Sequence, residues 1–161
     1  MIRVLPLDSA LDRAAFTCGV PALDQYFHIQ ATQDAKRLIA RCFVALREDR
    51  LLGYYTLSSA SVPFSDVPPS LSRRLPRYPA LPAIRIGRLA VDIRHQGQGL
   101  GGVLLADAIQ RALRAEAPGF SIVVDAKDAQ AAAFYRHHGF LELPSRPLCL
   151  LLPLGTIRKL P

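Results

Sequence analysis

Short apolar and β-rich runs, one of them with strand-like alternation, divide the 161-residue chain into predicted strands, and three predicted helices lie between them. The predicted strands cover residues 2–7, 40–46, 51–58, 84–92, 120–125, 140–143 and 147–153. The predicted helices follow Pro21, run from Leu100 to near Pro118, and contain Tyr135. Because strands and helices alternate in the second half, we expect a mostly parallel sheet there, with antiparallel flanks, in a single α/β domain over residues 1–161.

Residues 63–82 break this regular pattern. The segment is rich in proline and carries Arg73, Arg74 and Arg77. A long stretch without strand periodicity predicts an irregular insertion that faces the substrate, and a solvated connection is the alternative. The helix after Pro21 is expected to cover the sheet with its apolar side and to present Asp34, among other polar residues, to other surfaces.

Three alternating glycines, Gly97, Gly99 and Gly101, follow the central strand and lead into the helix that begins near Leu100. Glycine allows the backbone to adopt conformations closed to other residues and to approach a ligand closely. Helix N-termini favour anions, because their first N–H groups lack helical partners and carry the positive end of the dipole. The turn therefore predicts a phosphate or pyrophosphate site.

Several classes of phosphate loop place glycines in this way. The kinase and ATPase loop requires Lys and then Ser or Thr after its last glycine, whereas Val103 follows Gly102 here, which excludes it. Dinucleotide-binding loops remain possible by spacing, with Asp125 as the ribose-binding acid. Residues 94–96 between strand and first glycine, and the short chain that remains, argue against that class.

The loop Arg94-His-Gln-Gly-Gln-Gly99, between a strand at residues 89–91 and a helix, resembles the acyl-coenzyme A loop of the GNAT superfamily of N-acetyltransferases. A second match, over residues 128–140, is similar to the later helix of that family, which ends in a Tyr and a Gly-Phe. The resemblance implies the GNAT fold, in which a mixed central sheet with splayed central strands is flanked by helices.

The same resemblance implies acetyl-CoA as co-substrate, no metal, and Tyr135 as the catalytic residue. The implied acetyl-CoA-binding residues are Leu89, Ala90, Val91, Arg94, Gln96, Gly97, Gln98, Gly99, Leu100, Gly101, Gly102, Asp128 and Phe134. Asp128 departs from the wider superfamily, where Asn is common at this place. A carboxylate can accept a hydrogen bond from coenzyme A but cannot donate one.

The chemistry of amide formation fits these residues. Backbone N–H groups at residues 89–91 would stabilise charge on the thioester oxygen, by about 3 kcal/mol in comparable oxyanion holes. Tyr135 is protonated at neutral pH, since a phenol ordinarily has a pKa of about 10, and would act as general acid. Asp92 and His95 are interpreted as shaping the loop, with proton transfer through water as the alternative.

A narrower resemblance covers most of the chain and is carried by several segments. They are Phe16-Thr-Cys-Gly19, residues 23–27, 31–33, 42–44 and 53–57, Arg88-Leu-Ala-Val-Asp92, residues 124–128, and Phe134-Tyr135. These segments look like the GNAT toxins of bacterial toxin–antitoxin pairs. That family implies the α-amine of aminoacyl-tRNA as acceptor, a ribbon-helix-helix antitoxin, and a homodimer in which the apolar final strands exchange or pair.

Charge and composition agree with this interpretation. The formal net charge of +7 attracts polyanions, of which coenzyme A is one and nucleic acid another. The residues expected to engage tRNA phosphates are Lys36, Arg37, Arg73, Arg74, Arg77 and Arg85. No membrane-length apolar run or signal peptide is apparent, which predicts a cytoplasmic protein without a membrane partner. The three cysteines lack metal spacing and are expected to be reduced and packed in the core.

Two other functions stay open at this point. The chain would instead be a housekeeping GNAT enzyme that acetylates a small amine or a peptide N-terminus, or a degenerate fold that only binds. The sequence offers no obvious His or Glu as general base, which favours the aminoacyl acceptor, because an α-amine of pKa near 8 is about a tenth neutral at pH 7. A lysine amine of pKa about 10.4 is neutral only about once in two thousand or more.

Overall fold

The computed structural model describes residues 1–158. Its strands are β1 (Ile2–Pro6), β2 (Arg41–Arg47), β3 (Arg50–Pro63), β4 (Ala80–Val91), β5 (Ser121–Asp125), β6 (Leu141–Leu143) and β7 (Arg146–Pro153). Its helices are α1 (Pro21–Gln25), α2 (Ala31–Lys36), α3 (Pro69–Ser72), α4 (Leu100–Arg114), α5 (Ala129–His137) and α6 (Leu154–Arg158). A π-helical turn at Tyr26–Gln30 joins α1 to α2, and 3₁₀ turns lie at Phe64–Asp66 and Ile93–His95.

The strands form a mixed sheet in the order β1-β2-β3-β4-β5-β7-β6, so the predicted mixed sheet flanked by helices is confirmed. Parallel pairing joins Ala83–Ile86 of β4 to Ser121–Val124 of β5, while β4 itself continues to Val91. The expectation of a mostly parallel second half is wrong. A two-residue turn links β6 to β7 as a hairpin, and β7 lies between β6 and β5, antiparallel to both.

The chain forms two compact units, which we describe separately. The first unit contains residues 1–58 and 87–110, and the second contains residues 59–86 and the described part of 111–161. In the first unit the ring of Phe27 stacks on Tyr54 at 4.3 Å and meets Phe16 edge-on at 4.9 Å. The Tyr54 hydroxyl donates to the Leu23 carbonyl at 2.7 Å, which fixes α1 against β3.

Asp34 on α2 is only 8% exposed, so its predicted place on a surface is wrong. Its carboxylate accepts hydrogen bonds from the Tyr26 hydroxyl at 2.8 Å and from the Gln30 amide at 3.0 Å. Burial of a carboxylate is tolerated when such donors replace water. The hydrogen bonds, the first of them from Gln30, lower the pKa of Asp34.

The core of the second unit lies on one face of β4, β5 and β7, where Leu81, Val123 and Leu151 pack together. Leu71 and Leu75 of the proline-rich segment pack against this core. The irregular insertion predicted at residues 63–82 is shorter than expected. β3 extends to Pro63, β4 starts at Ala80, and a 3₁₀ turn and α3 lie between these two strands.

All three cysteines, Cys18, Cys42 and Cys149, are free and buried, as predicted. Burial raises the pKa of each thiol, to about 12 for Cys42 and about 11 for Cys149. Within residues 1–158, every helix is too short or too polar to cross a lipid bilayer.

Candidate active site

Asp92 organises the turn that follows β4. Its side chain is fully buried, and it accepts hydrogen bonds from the backbone N–H and the Nε of Arg94, both at 2.9 Å. The guanidinium of Arg94 also pairs with the other carboxylate oxygen at 2.9 Å. These hydrogen bonds lower the pKa of Asp92 to about 2. The interpretation that Asp92 shapes the loop agrees with this geometry.

The turn is also joined to the chain before α1. The backbone N–H of Ile93 donates to the Thr17 carbonyl at 2.8 Å, and the Gln96 amide donates to the carbonyls of Cys18 and Val91 at 3.0 and 2.9 Å. The side chain of Gln96 is thus occupied in holding the loop. A sequence pattern could not reveal the partners before α1, because they lie more than 70 residues away.

Gly97 and Gly99 adopt left-handed backbone conformations, with φ of +81° and +78°. A Cβ at either position would have no heavy atom within 4 Å, so the backbone faces open space. α4 begins at Leu100, directly after them, with its first N–H groups unpaired by the helix. The predicted glycine turn is present, but Gly101 lies inside the helix and has no left-handed φ, so that part of the expectation is wrong.

Gly53 of β3 allows a close approach to the end of β4. A Cβ at this position would stand 2.6 Å from the Ala90 carbonyl oxygen and 3.1 Å from the Leu104 side chain. A residue with a Cβ does not fit at this position unless one of the strands moves. Gly53 therefore positions the strand that leads into the turn, a role that sequence spacing did not indicate.

In the second unit, Asp128 caps the N-terminus of α5. Its carboxylate accepts a hydrogen bond from the Ala131 N–H at 2.8 Å and pairs with Lys127 at 3.0 Å. The hydrogen bond from the Ala131 N–H and, after it, the one from Lys127 lower the pKa of Asp128. Capping satisfies a helix N–H that would otherwise lack a partner. The structure thus gives Asp128 a local role beside its predicted contact with coenzyme A.

Tyr135 lies on α5 and is 8% exposed. Its ring meets Phe134 at 5.1 Å and Phe140 at 5.3 Å, and Gly139, with φ of +93°, ends the helix so that the Phe140 N–H returns to the Tyr135 carbonyl. Within residues 1–158 the Tyr135 hydroxyl has no hydrogen-bond partner. Burial raises the pKa of Tyr135 to about 12, so the phenol keeps its proton at neutral pH.

The predicted site residues divide between the units. Residues 89–102 lie together in the first unit, where the strand end, the turn and the start of α4 form one continuous feature. Asp128, Phe134 and Tyr135 lie together along α5 in the second unit.

The basic residues expected to contact tRNA also divide. Lys36 and Arg37 are exposed at the end of α2 in the first unit. Arg73, Arg74 and Arg77 are exposed between α3 and β4 in the second. Arg85 is different, since its guanidinium forms an ion pair with Asp125. Within residues 1–158 there is no cluster of His, Cys, Asp and Glu suited to a metal ion.

The strand, glycine turn and helix belong to a known family. The profile of the Acetyltransferase (GNAT) family matches residues 9–140, which include every residue of this turn and Tyr135. The chain is a member of the Acetyltransferase (GNAT) family.

Two relatives match along nearly the whole chain. One is a "Probable toxin TacT" of Sinorhizobium fredii, 36% identical over 167 residues, covering 96% of this chain and 92% of the relative. The other is a "tRNA-acetylating toxin" of Mycobacterium tuberculosis, 39% identical over 156 residues, covering 96% of this chain and 93% of the relative.

Solved structures match equally completely. AtaT complexed with acetyl-methionyl-tRNAfMet has a TM-score of 0.91 at 28% identity, with 98% of each chain covered. AtaTR bound with AcCoA has a TM-score of 0.81 at 28% identity, covering 98% of this chain and 96% of that one. A mutant AtaT bound to the C-terminus of the antitoxin AtaR has a TM-score of 0.81 at 25% identity, covering 98% and 96%.

Proposed function

We propose that this protein transfers an acetyl group from acetyl-CoA to the α-amine of aminoacyl-tRNA and thereby blocks translation, as the toxin of a toxin–antitoxin pair. The relatives described as TacT and as a tRNA-acetylating toxin support this activity, as does the likeness to AtaT with acetyl-methionyl-tRNAfMet. The observation that carries the proposal is the pair of left-handed glycines before α4, in a chain that matches these relatives over 96% of its length.

The open backbone at Gly97 and Gly99 fits a pyrophosphate, because nothing within 4 Å occupies the space where side chains would stand. N–H groups of this turn and of the first turn of α4 would hold the phosphates of acetyl-CoA. When bound, acetyl-CoA supplies an acetyl group activated as a thioester. Arg94 stabilises the turn through its hydrogen bond to the Asp92 carboxylate. Gln96 does so through its hydrogen bonds to the carbonyls of Cys18 and Val91.

We assign two chemical roles to residues of this chain. Backbone N–H groups of residues 89–91 would donate hydrogen bonds to the thioester oxygen. Tyr135, which its raised pKa keeps protonated and whose hydroxyl has no partner within residues 1–158, would donate the proton that the departing thiolate needs. The proton that the amine nitrogen loses as the amide forms would restore the phenol. Phe134 and Asp128 remain proposed coenzyme contacts on the same helix.

The acceptor amine needs little help from the protein. About a tenth of an α-amine with pKa near 8 is neutral at pH 7, so no strong base is required. A lysine acceptor would need one. This argument favours an aminoacyl ester over a protein side chain.

We further infer the partners and setting of the enzyme. Binding of AtaT to the C-terminus of AtaR supports an antitoxin partner, for which we propose the ribbon-helix-helix class. We propose a homodimer and a cytoplasmic location, where charged tRNA is available. The family profile extends over residues 9–140, which supports one GNAT domain over residues 1–161. Analytical ultracentrifugation with and without the antitoxin tests the assembly.

Labelled acetyl-CoA, incubated with charged tRNA, uncharged tRNA or small amines and peptides, tests the activity. We expect label on charged tRNA alone, rising with pH up to about 8 as the amine loses its proton. Tyr135→Phe should lower the rate about a hundredfold or more while calorimetry detects unchanged acetyl-CoA binding. Transfer only to small amines would indicate a housekeeping enzyme, and coenzyme binding without any transfer would indicate a binding module.

A further inference from the structure

The chain between Asp66 and Asp92 carries charge of one sign only. Residues 67–91 contain five arginines and no aspartate or glutamate. Arg73, Arg74 and Arg77 are exposed, and none of them forms an ion pair with any part of the described chain. A group of uncompensated cations on one short segment attracts phosphates.

Tyr78 lies directly after these arginines and is 59% exposed. The four other tyrosines of the chain are buried. The face of an aromatic ring left in water gains free energy when another flat, apolar surface covers it. Tyr78 therefore offers a stacking surface beside positive charge.

The backbone that carries Tyr78 is fixed on both sides. The Phe64 N–H donates to the Pro79 carbonyl at 3.0 Å, and the Tyr78 N–H donates to the Pro76 carbonyl at 3.0 Å. Leu75 packs against the core of the second unit. Because the segment is already ordered, binding loses little conformational entropy there.

We propose that residues 73–78 bind the unpaired nucleotides at the 3′ end of tRNA, an inference that rests on the proposed acetylation of aminoacyl-tRNA. Tyr78 stacks on one base, and Arg73, Arg74 and Arg77 contact the phosphates. Unpaired bases expose their faces, whereas bases inside a duplex are covered by their neighbours. Stacking is tolerant of base identity, so the contact does not depend on which base the 3′ end presents. The contact recognises the free end of the RNA without reading the body of the tRNA.

The test compares the binding of two labelled RNA hairpins, one with a four-nucleotide ACCA overhang and one with a blunt end. For Tyr78→Ala we expect about tenfold weaker binding of the overhang hairpin and unchanged binding of the blunt hairpin. Tyr78→Phe keeps the ring and should bind as the wild type does. Arg77→Ala, which removes one proposed phosphate contact, should weaken binding of the overhang hairpin more than Arg50→Ala does, because Arg50 is the exposed first residue of β3 and lies outside residues 73–78.

Three results would overturn the proposal. They are wild-type affinity in Tyr78→Ala, a loss in Tyr78→Phe as large as in Tyr78→Ala, or an equal loss for both hairpins. Calorimetric binding of acetyl-CoA to each variant establishes that the protein is folded. The proposed function fails separately, if the wild-type protein transfers no acetyl group to charged tRNA whatever the hairpins show.

Discussion

At the scale of single residues, Asp92 does more for the turn than its place in the sequence indicates. The buried carboxylate accepts three hydrogen bonds from Arg94, two of them through the guanidinium, and a longer one from the Thr17 N–H at 3.4 Å. Removing the charge would leave these donors with a weaker acceptor in a site closed to water. The turn would then lose the contacts that fix its entry from β4.

The lowered pKa of Asp92 predicts a pH-dependent contribution to stability. A carboxyl group with a pKa of about 2 when folded and 3.8 when unfolded stabilises the fold above pH 4, and this contribution is lost between about pH 4 and 2. Such a shift corresponds to about 2 kcal/mol. We expect Asp92→Asn to lower the free energy of unfolding by at least about that amount at pH 7, and by clearly less near pH 2.5.

Urea denaturation at the two pH values measures this difference. Asp49→Asn is a matched control, because the side chain of Asp49 is 98% exposed. An equal loss of stability in Asp92→Asn at both pH values would contradict the role assigned to the charge.

The residue-scale predictions succeeded where the backbone itself requires a residue type. Gly97 and Gly99 were identifiable because left-handed conformations are largely reserved for glycine. Buried partners were not identifiable. Tyr26 and Gln30 satisfy Asp34 across turns of the same helical segment, but a polar residue in a helix is ordinarily assigned to the solvent side.

At the scale of elements, α5 joins a cap, a catalytic candidate and a glycine end within a few residues. Asp128 caps it, Tyr135 lies near its last turn, and Gly139 ends it. The cap offers a way to separate the structural from the coenzyme-binding role of Asp128. An Asn side chain keeps an acceptor oxygen for the Ala131 N–H and adds a donor.

We expect Asp128→Ala to lower the free energy of unfolding by about 1 kcal/mol and Asp128→Asn to leave it nearly unchanged. Thermal unfolding measures the first effect, and the KM for acetyl-CoA measures any contact with the coenzyme. If Asp128→Asn destabilises the protein as much as Asp128→Ala does, the capping role is refuted. A KM altered in both variants at equal stability would instead support the coenzyme contact.

Strands that are continuous apolar runs, such as β2, β5 and β7, agree with their predicted bounds to within one residue. The far end of β3 and the start of β4 were missed, because Pro63 and Pro82 are poor strand residues that removed the pattern there. The order in which β7 enters the sheet between β5 and β6 was also missed, since it depends on packing between distant segments. The local pattern of apolar residues predicts which segments are strands, whereas tertiary contacts determine where each strand ends and which strands pair.

At the scale of the whole molecule, the formal net charge of +7 predicts that the KM values for the two proposed substrates respond differently to salt. Transfer RNA is a long polyanion, whereas acetyl-CoA carries only a few charges. If about three phosphates are neutralised on binding, raising salt from about 50 to about 200 mM should raise the KM for charged tRNA several tens of fold. The KM for acetyl-CoA should change little over this range, because backbone N–H groups would make most of its contacts.

Steady-state kinetics at several salt concentrations measures both values in one protein. Equal salt dependence of the two KM values would argue against a nucleic-acid acceptor and in favour of a small amine.

The burial of Cys18, Cys42 and Cys149 has a practical result for enzymology. Each thiol is shielded, and its raised pKa keeps it out of the reactive thiolate form near neutral pH. A disulfide dye that changes colour on meeting free sulfhydryls would consequently leave the folded enzyme untouched. Its signal would count only the coenzyme A set free at each turnover, so acetyl transfer can be followed continuously without masking the protein's own sulfur.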